Sequence, residues 1–331
     1  MKKITTVMRL VACTLTAIAL AALGPAPAAA QTPTKMTIVI FGFPSLGAFM
    51  PPVIKAKKID AAHGLDIQFV ERPPDAYTTQ FNSGEFKVGG SAAVLTVGLA
   101  DARGVKVKYL FNLFDYWGTV VTSRPTIKTL KDLEGKQLAA ARSTTNFVMS
   151  EFFAKQQGVE VSKIEVVNTA TPGLVGYALA DRADAVQLWE PAYTLLKAKK
   201  PDIRTLDSGM DKTWKRFAGG ERIPYLGLAA HDDWIEQNQA LIPKLYATYK
   251  EAGEYISKHP EEAAALIAPP LTGDDRAALI SLIKANDRLG MNVVPANDVR
   301  QQIEAVYRAG IDVGYFKSMP SDGTVYAKPM K

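Results

Sequence analysis

Apolar positions change their period along this chain, and the changes mark its elements. From residue 37 short apolar runs alternate with stretches whose apolar residues recur every three or four positions, the pattern of βαβ units and a mostly parallel sheet. It predicts strands over 37–43, 67–70, 86–89 and 106–111, with helices over 52–62, 77–82 and 91–102; His63-Gly64 closes the first helix. The alternation then recurs. Strands are predicted over 137–141, 164–167 and 185–188, and helices over 145–157, closed by Gly158, and up to 180, opened by Thr171-Pro172 as cap and first-turn pair. Glu190-Pro191 opens the next helix. A strand over 223–230 returns across the molecule, and helical periodicity then holds at 232–237, 241–258, 260–267, 274–285 and 297–309.

The two alternating halves match in kind. Gly64-Leu65-Asp66-Ile67 is answered by Gly158-Val159-Glu160-Val161, and Gly84-Glu85-Phe86-Lys87-Val88 by Asp181-Arg182-Ala183-Asp184-Ala185. The offset is far longer than the about 20–50 residues of a solenoid repeat, so the pattern predicts two similar α/β lobes. The late helices then complete the first lobe, and the chain crosses between lobes twice, near Asp115-Tyr116-Trp117 and near Glu221-Arg222-Ile223. The expected division is a signal segment at 1–30, a first lobe from 31–115 plus 222–331, and a second lobe from 116–221.

The N-terminal pattern differs from the rest. Lys2, Lys3 and Arg9 precede an apolar run at 10–23, which Gly24 and Pro25 break before Ala28-Ala29-Ala30. This is the order of a secretory signal, with cleavage expected after Ala30, and the run is shorter than the about 20 residues a spanning helix needs. Leu10-Val11-Ala12-Cys13 has the look of a lipobox, but the apolar run follows the cysteine instead of preceding it. Cys13 is the only cysteine. The exported chain therefore has no disulfide, thiolate nucleophile or cysteine metal site, and must rest on its core. A periplasmic location is expected.

Composition adds exclusions. Of 331 residues, 47% are apolar and 22% charged, which rules out a disordered, collagenous or multi-span chain. Removing the three basic residues of the signal leaves 36 basic against 33 acidic residues, too small an excess to imply nucleic acid.

Several stretches carry a family resemblance: Pro52-Val53-Ile54-Lys55-Ala56-Lys57-Lys58 with His63-Gly64-Leu65-Asp66-Ile67, Ser83-Gly84-Glu85-Phe86-Lys87-Val88-Gly89-Gly90, Leu130-Lys131-Asp132-Leu133-Glu134-Gly135-Lys136-Gln137, Ala141-Arg142-Ser143-Thr144-Thr145, and Trp189-Glu190-Pro191. The chain resembles periplasmic substrate-binding proteins of ABC importers, in the branch that serves nitrate, alkanesulfonates, taurine and thiamine pyrimidine precursors. The resemblance implies a two-lobed type II periplasmic binding protein fold, shared with thiamine-pyrimidine synthases, whose lobes are joined by two crossing segments. It also implies a monomer that holds a small-molecule ligand in the interlobe cleft without a cofactor and signals closure to an ABC permease and its ATPase.

Independently, ligands of open α/β sheets collect beyond the carboxyl ends of strands, where helix N-termini present free N–H groups. The loops so placed contain Phe43, Ser45 and Phe49, then Ser91 and Ala92, then Arg142, Ser143, Thr144 and Thr145, and finally Trp189 and Glu190. The hydroxyls and Arg142 suit an oxyanion, although a plain helix cap explains the hydroxyls equally. Trp189 offers a stacking face and Glu190 a partner for a cationic or donor group, but core packing and a first-turn acid are the other readings. Phe43, Phe49, Trp117 and Tyr225 are candidate walls.

Three functions stay open: delivery of a sulfonate-, taurine- or nitrate-like solute, binding of a thiamine pyrimidine precursor or aromatic carboxylate, and periplasmic sensing without transport. An enzyme on the same fold lacks its usual signals, since the only histidines are His63, His231 and His259 and no zincin, serine-hydrolase or phosphate-loop motif occurs.

Overall fold

The structure is a computed structural model that describes residues 32–142 and 144–330, without the side chains of residues 171 and 172. The signal segment with its cleavage point after Ala30, and Ser143, lie outside the described residues. The first series of elements is β1 (Thr34–Phe41), α1 (Met50–Ala56), α2 (Ile59–Ala62), β2 (Leu65–Arg72), α3 (Pro74–Asn82), β3 (Val88–Ala93), α4 (Val94–Ala102) and β4 (Val107–Asp115). A second runs β5 (Gly118–Thr122), β6 (Gln137–Ala140), α5 (Thr145–Gln156), β7 (Glu165–Asn168), α6 (Thr171–Leu179), β8 (Ala185–Trp189), α7 (Ala192–Lys199), β9 (Arg204–Leu206) and α8 (Met210–Ala218). The chain ends with β10 (Pro224–His231), α9 (Asp232–Gln237), α10 (Ile242–Lys258), α11 (Pro260–Ile267), α12 (Gly273–Ala285), β11 (Met291–Pro295) and α13 (Arg300–Asp312).

The strands form two sheets, ordered β11-β4-β10-β3-β1-β2 and β7-β6-β8-β5-β9. In the first, β1 runs parallel to β2 and β3, and the returning β10 is antiparallel to β3 and β4. In the second, β6 runs parallel to β7 and β8, and β5 is antiparallel to β8. The unit β2-β1-β3 with an antiparallel neighbour thus recurs as β7-β6-β8 with an antiparallel neighbour. Gly64 and Gly158, which end the matching helices, both have positive φ, 72° and 73°.

Tertiary packing moved several boundaries. The helix expected over 52–62 is two helices, because Lys58 adopts left-handed φ of 54° between them. Strand β3 continues to Ala93, past the expected helix start at 91, since all six of its residues are buried in the sheet. Helix α6 begins at Thr171 with Ala170 in the cap position. Strands β9 and β11 stand at sheet edges, paired only with β5 and β4.

The cores lie between sheets and helices. Helix α10 buries Ile242, Leu245, Tyr249, Ala252 and Ile256, a three-four spacing that makes one apolar stripe. Those side chains join Phe49, Phe111 and Phe114 in the core of the first lobe.

The two crossings are fastened to each other. Tyr116 N–H donates to the Ile223 carbonyl at 2.7 Å, and Arg222 pairs with Asp115 at 2.9 Å. The buried Asp115 carboxylate also accepts from Asn112 and from Asn292 of β11. Asp115 N–H donates to the Gly290 carbonyl at 2.7 Å. Gly290 has φ of +63°, and a Cβ there would lie 2.7 Å from the Asp115 carbonyl oxygen, so glycine is required. Burial pushes the Asp115 carboxyl up, with Arg222 and both asparagines acting against it.

Candidate ligand-binding site

On the first sheet, the loop after β1 is held by one hydroxyl. Ser91 Oγ accepts from Phe41 N–H at 2.9 Å, and a Cβ on Gly47 would overlap that hydroxyl. Ser45 caps the short turn Leu46–Ala48 by accepting from Gly47 N–H. Of the loop's predicted ligand contacts, Phe43 is exposed, at 39%, whereas Phe49 is fully buried and packs edge-on against Phe114. Ala92 is buried beside Tyr77 and Thr96. Serine 91 thus positions the loop, and Phe49 supports it from below.

On the second sheet, α5 starts with Thr144 as its cap. Thr144 Oγ1 accepts from Phe147 N–H and donates to the Ala141 carbonyl at 2.8 Å, so its proton is already placed. Arg142 is exposed and lies back along the helix, 5.9 Å from the Phe147 ring and within electrostatic reach of Glu151. The Thr145 hydroxyl is buried without a partner among the described residues. Asn146 Nδ2 donates to Tyr225 Oη at 2.8 Å, a bond that crosses from α5 to β10 of the first lobe. Tyr225 stands edge-on to Tyr116.

The third group gathers around Glu190. Its carboxylate, 1% exposed, accepts from Thr194 N–H and Oγ1 and pairs with Arg288 at 2.8 Å. Arg288 lies between α12 and β11 of the first lobe, so this ion pair also bridges the lobes. Its guanidinium sits 5.8 Å from the Trp117 ring and 5.7 Å from the Tyr193 ring. Burial pushes the Glu190 carboxyl up, opposed by Arg288 and Thr194. Trp189 is buried among Leu188, Ala192 and Leu196.

The structure therefore brings Trp117 and Glu190 together and sets Tyr225 against α5, while Arg142, Phe49 and Trp189 point elsewhere. Arg288, Tyr193, Thr194 and Asn146 were not read from the sequence. Asn146 adjoins the Ser/Thr run and had a local signal; Arg288 reads only as a basic residue beyond a helix. Chemically, the interlobe surface offers hydroxyls, amides and aromatic rings, with its acid already paired. Among the described residues no His, Asp and Glu side chains converge to hold a metal.

Comparison with known proteins agrees with this architecture. The periplasmic aliphatic sulphonate binding protein SsuA from Escherichia coli superposes with a TM-score of 0.71 at 18% identity, over 89% of this chain and 92% of that one. The alkanesulfonate-binding protein SsuA from Xanthomonas axonopodis pv. citri, bound to MOPS, gives 0.68 at 16% identity, over 88% and 96%. The ligand-binding component of an ABC-type import system from Staphylococcus aureus, with zinc bound, gives 0.68 at 11%, over 88% and 96%. The fold is that of the two-lobed periplasmic binding proteins. No curated protein matches the sequence. The NMT1/THI5-like family matches residues 61–263, which is more than half of the chain and spans parts of both lobes, and the chain belongs to that family.

Proposed function

We propose that this chain is an exported solute-binding protein that captures a small polar or anionic organic molecule between its lobes and hands it unaltered to an ABC permease powered by its ATPase. The observation that carries this reading is that two polar contacts, Asn146 to Tyr225 and Glu190 to Arg288, join the lobes beside the strand ends. Val148, Met149, Phe152 and Phe153 of α5 also pack in one apolar cluster with Val94, Leu95 and Tyr307 of the first lobe, so opening parts an apolar contact as well as the polar ones. The similarity to sulfonate-binding proteins supports the solute class, and the pattern of residues 1–30 supports a periplasmic location reached through a cleaved signal. A monomer suffices for such capture.

A thermal-shift panel of alkanesulfonates, MOPS, taurine, nitrate, aromatic carboxylates, carboxamides and pyrimidines tests the reading. A solute at 100 times its Kd stabilises by about 2.7 kcal/mol, which raises Tm by about 5 °C in a chain of this size. A panel without any shift, or a solute returned chemically changed, contradicts it.

A further inference from the structure

Four buried polar atoms on α5 and on β8, which it packs against, lack a hydrogen-bond partner among the described residues: Thr145 Oγ1, Asn146 Oδ1, and both Oε1 and Nε2 of Gln187. The three residues are 4%, 1% and 1% exposed. Gln187 lies opposite Val120 of β5 and two residues beyond Ala185. Val120 and Ala185 pack in one cluster with Phe147 of α5. Side chains alternate along a strand, so Gln187 stands on the sheet face that α5 covers. The first turn of that helix is also at the lobe boundary: Asn146 reaches Tyr225, and Tyr116 Oη donates to the Asn146 carbonyl. Buried amides without partners are costly and rare, so such a cluster calls for an occupant.

The open atoms constrain that occupant. A sulfonate, nitrate or carboxylate brings acceptors only. It could take a hydrogen bond from Thr145 or from Gln187 Nε2, but Gln187 Oε1 would face another acceptor. A carboxamide or ureide carries an N–H donor beside a C=O acceptor and can pair with both ends of Gln187, whichever way that amide is turned. The nearby charges do not offer an anion a counter-ion, because Arg288 is bound to Glu190 and Arg142 lies back over Phe147.

We infer that the buried polar cluster between α5 and β8 selects a neutral carboxamide or ureide head group, an inference that rests on the solute-capture reading and narrows it. Matched probes test it. Isothermal titration of the purified protein compares benzamide with benzoate and nicotinamide with nicotinate, so that each pair changes the head group on a constant body, and sets both amides against ethanesulfonate. The amide of each pair is expected to bind at least about tenfold tighter, the worth of one buried hydrogen bond. Gln187→Leu should bring each pair near parity without lowering Tm.

Tighter binding of the carboxylates or of ethanesulfonate, or no measurable binding of either amide, overturns the inference. So does a Gln187→Leu protein that loses Tm and keeps the amide preference, since Gln187 would then be satisfied by internal water. Binding of sulfonates alone removes the amide inference and leaves solute capture standing, whereas indifference of Tm to every solute removes both.

Discussion

Replacing Arg288 by methionine isolates the contact that joins Glu190 to the first lobe. The Glu190 side chain is 1% exposed and the Arg288 side chain 37%, so the variant leaves a buried carboxylate whose remaining partners are Thr194 N–H and Oγ1. Breaking a fully buried pair from one side costs about 3–5 kcal/mol. The partial exposure of Arg288 and the two retained bonds lower this, while loss of the guanidinium from the Trp117 and Tyr193 rings adds a few tenths each. The expected cost is about 2 kcal/mol, or about 4 °C in Tm for a chain of this size. Denaturant melts of Arg288→Met, Glu190→Gln and the double variant form a cycle. The expected coupling is about 1–2 kcal/mol. A single-variant loss under about 0.5 kcal/mol with additive singles would show an ordinary surface pair instead.

Burial holds the Glu190 carboxyl above its ordinary value of 4.5, so the folded protein binds that proton more tightly than the unfolded chain. The resulting stability is fully present below the ordinary value and is lost as pH rises through the raised one. The Tm penalty of Glu190→Gln should therefore shrink as pH rises from 4 towards 7, and a penalty that grows would show the ion pair outweighing desolvation. Gly47→Ala drives a methyl into Ser91 and displaces its bond to Phe41, at about 2–4 kcal/mol. Adding Ser91→Ala should restore part of that loss in a denaturant melt, and an additive double variant would place the strain elsewhere. Thr144→Ala should cost about 1 kcal/mol as a lost cap while leaving solute affinity within twofold by titration. A tenfold loss of affinity would make that hydroxyl a ligand contact.

The repeated βαβ pattern was legible because each unit is written locally: apolar runs, a polar-apolar helix period, and glycines such as Gly64 and Gly158 at the helix ends. Strands β5, β9 and β11 were not. Strand β9 is three residues long and β11 five, and each is fixed by its neighbour rather than by a pattern of its own. The end of β3 misled because Ser91, Ala92 and Ala93 are small residues that suit a helix start as well as a crowded strand. At the site, Trp117, Thr145, Glu190 and Tyr225 stood out as polar or aromatic residues at element ends. Arg288 did not, since its partner is 98 residues away and only the tertiary fold brings them together. Gln187 was not read from the sequence, because its missing partners are a property of the packed lobe.

Capture of the proposed kind requires the lobes to close. Small-angle scattering of the purified protein, recorded alone and with a solute that raises Tm, measures this directly. The radius of gyration should fall on saturation and return when the solute is dialysed away. A radius that stays constant for every stabilising solute would contradict capture by closure.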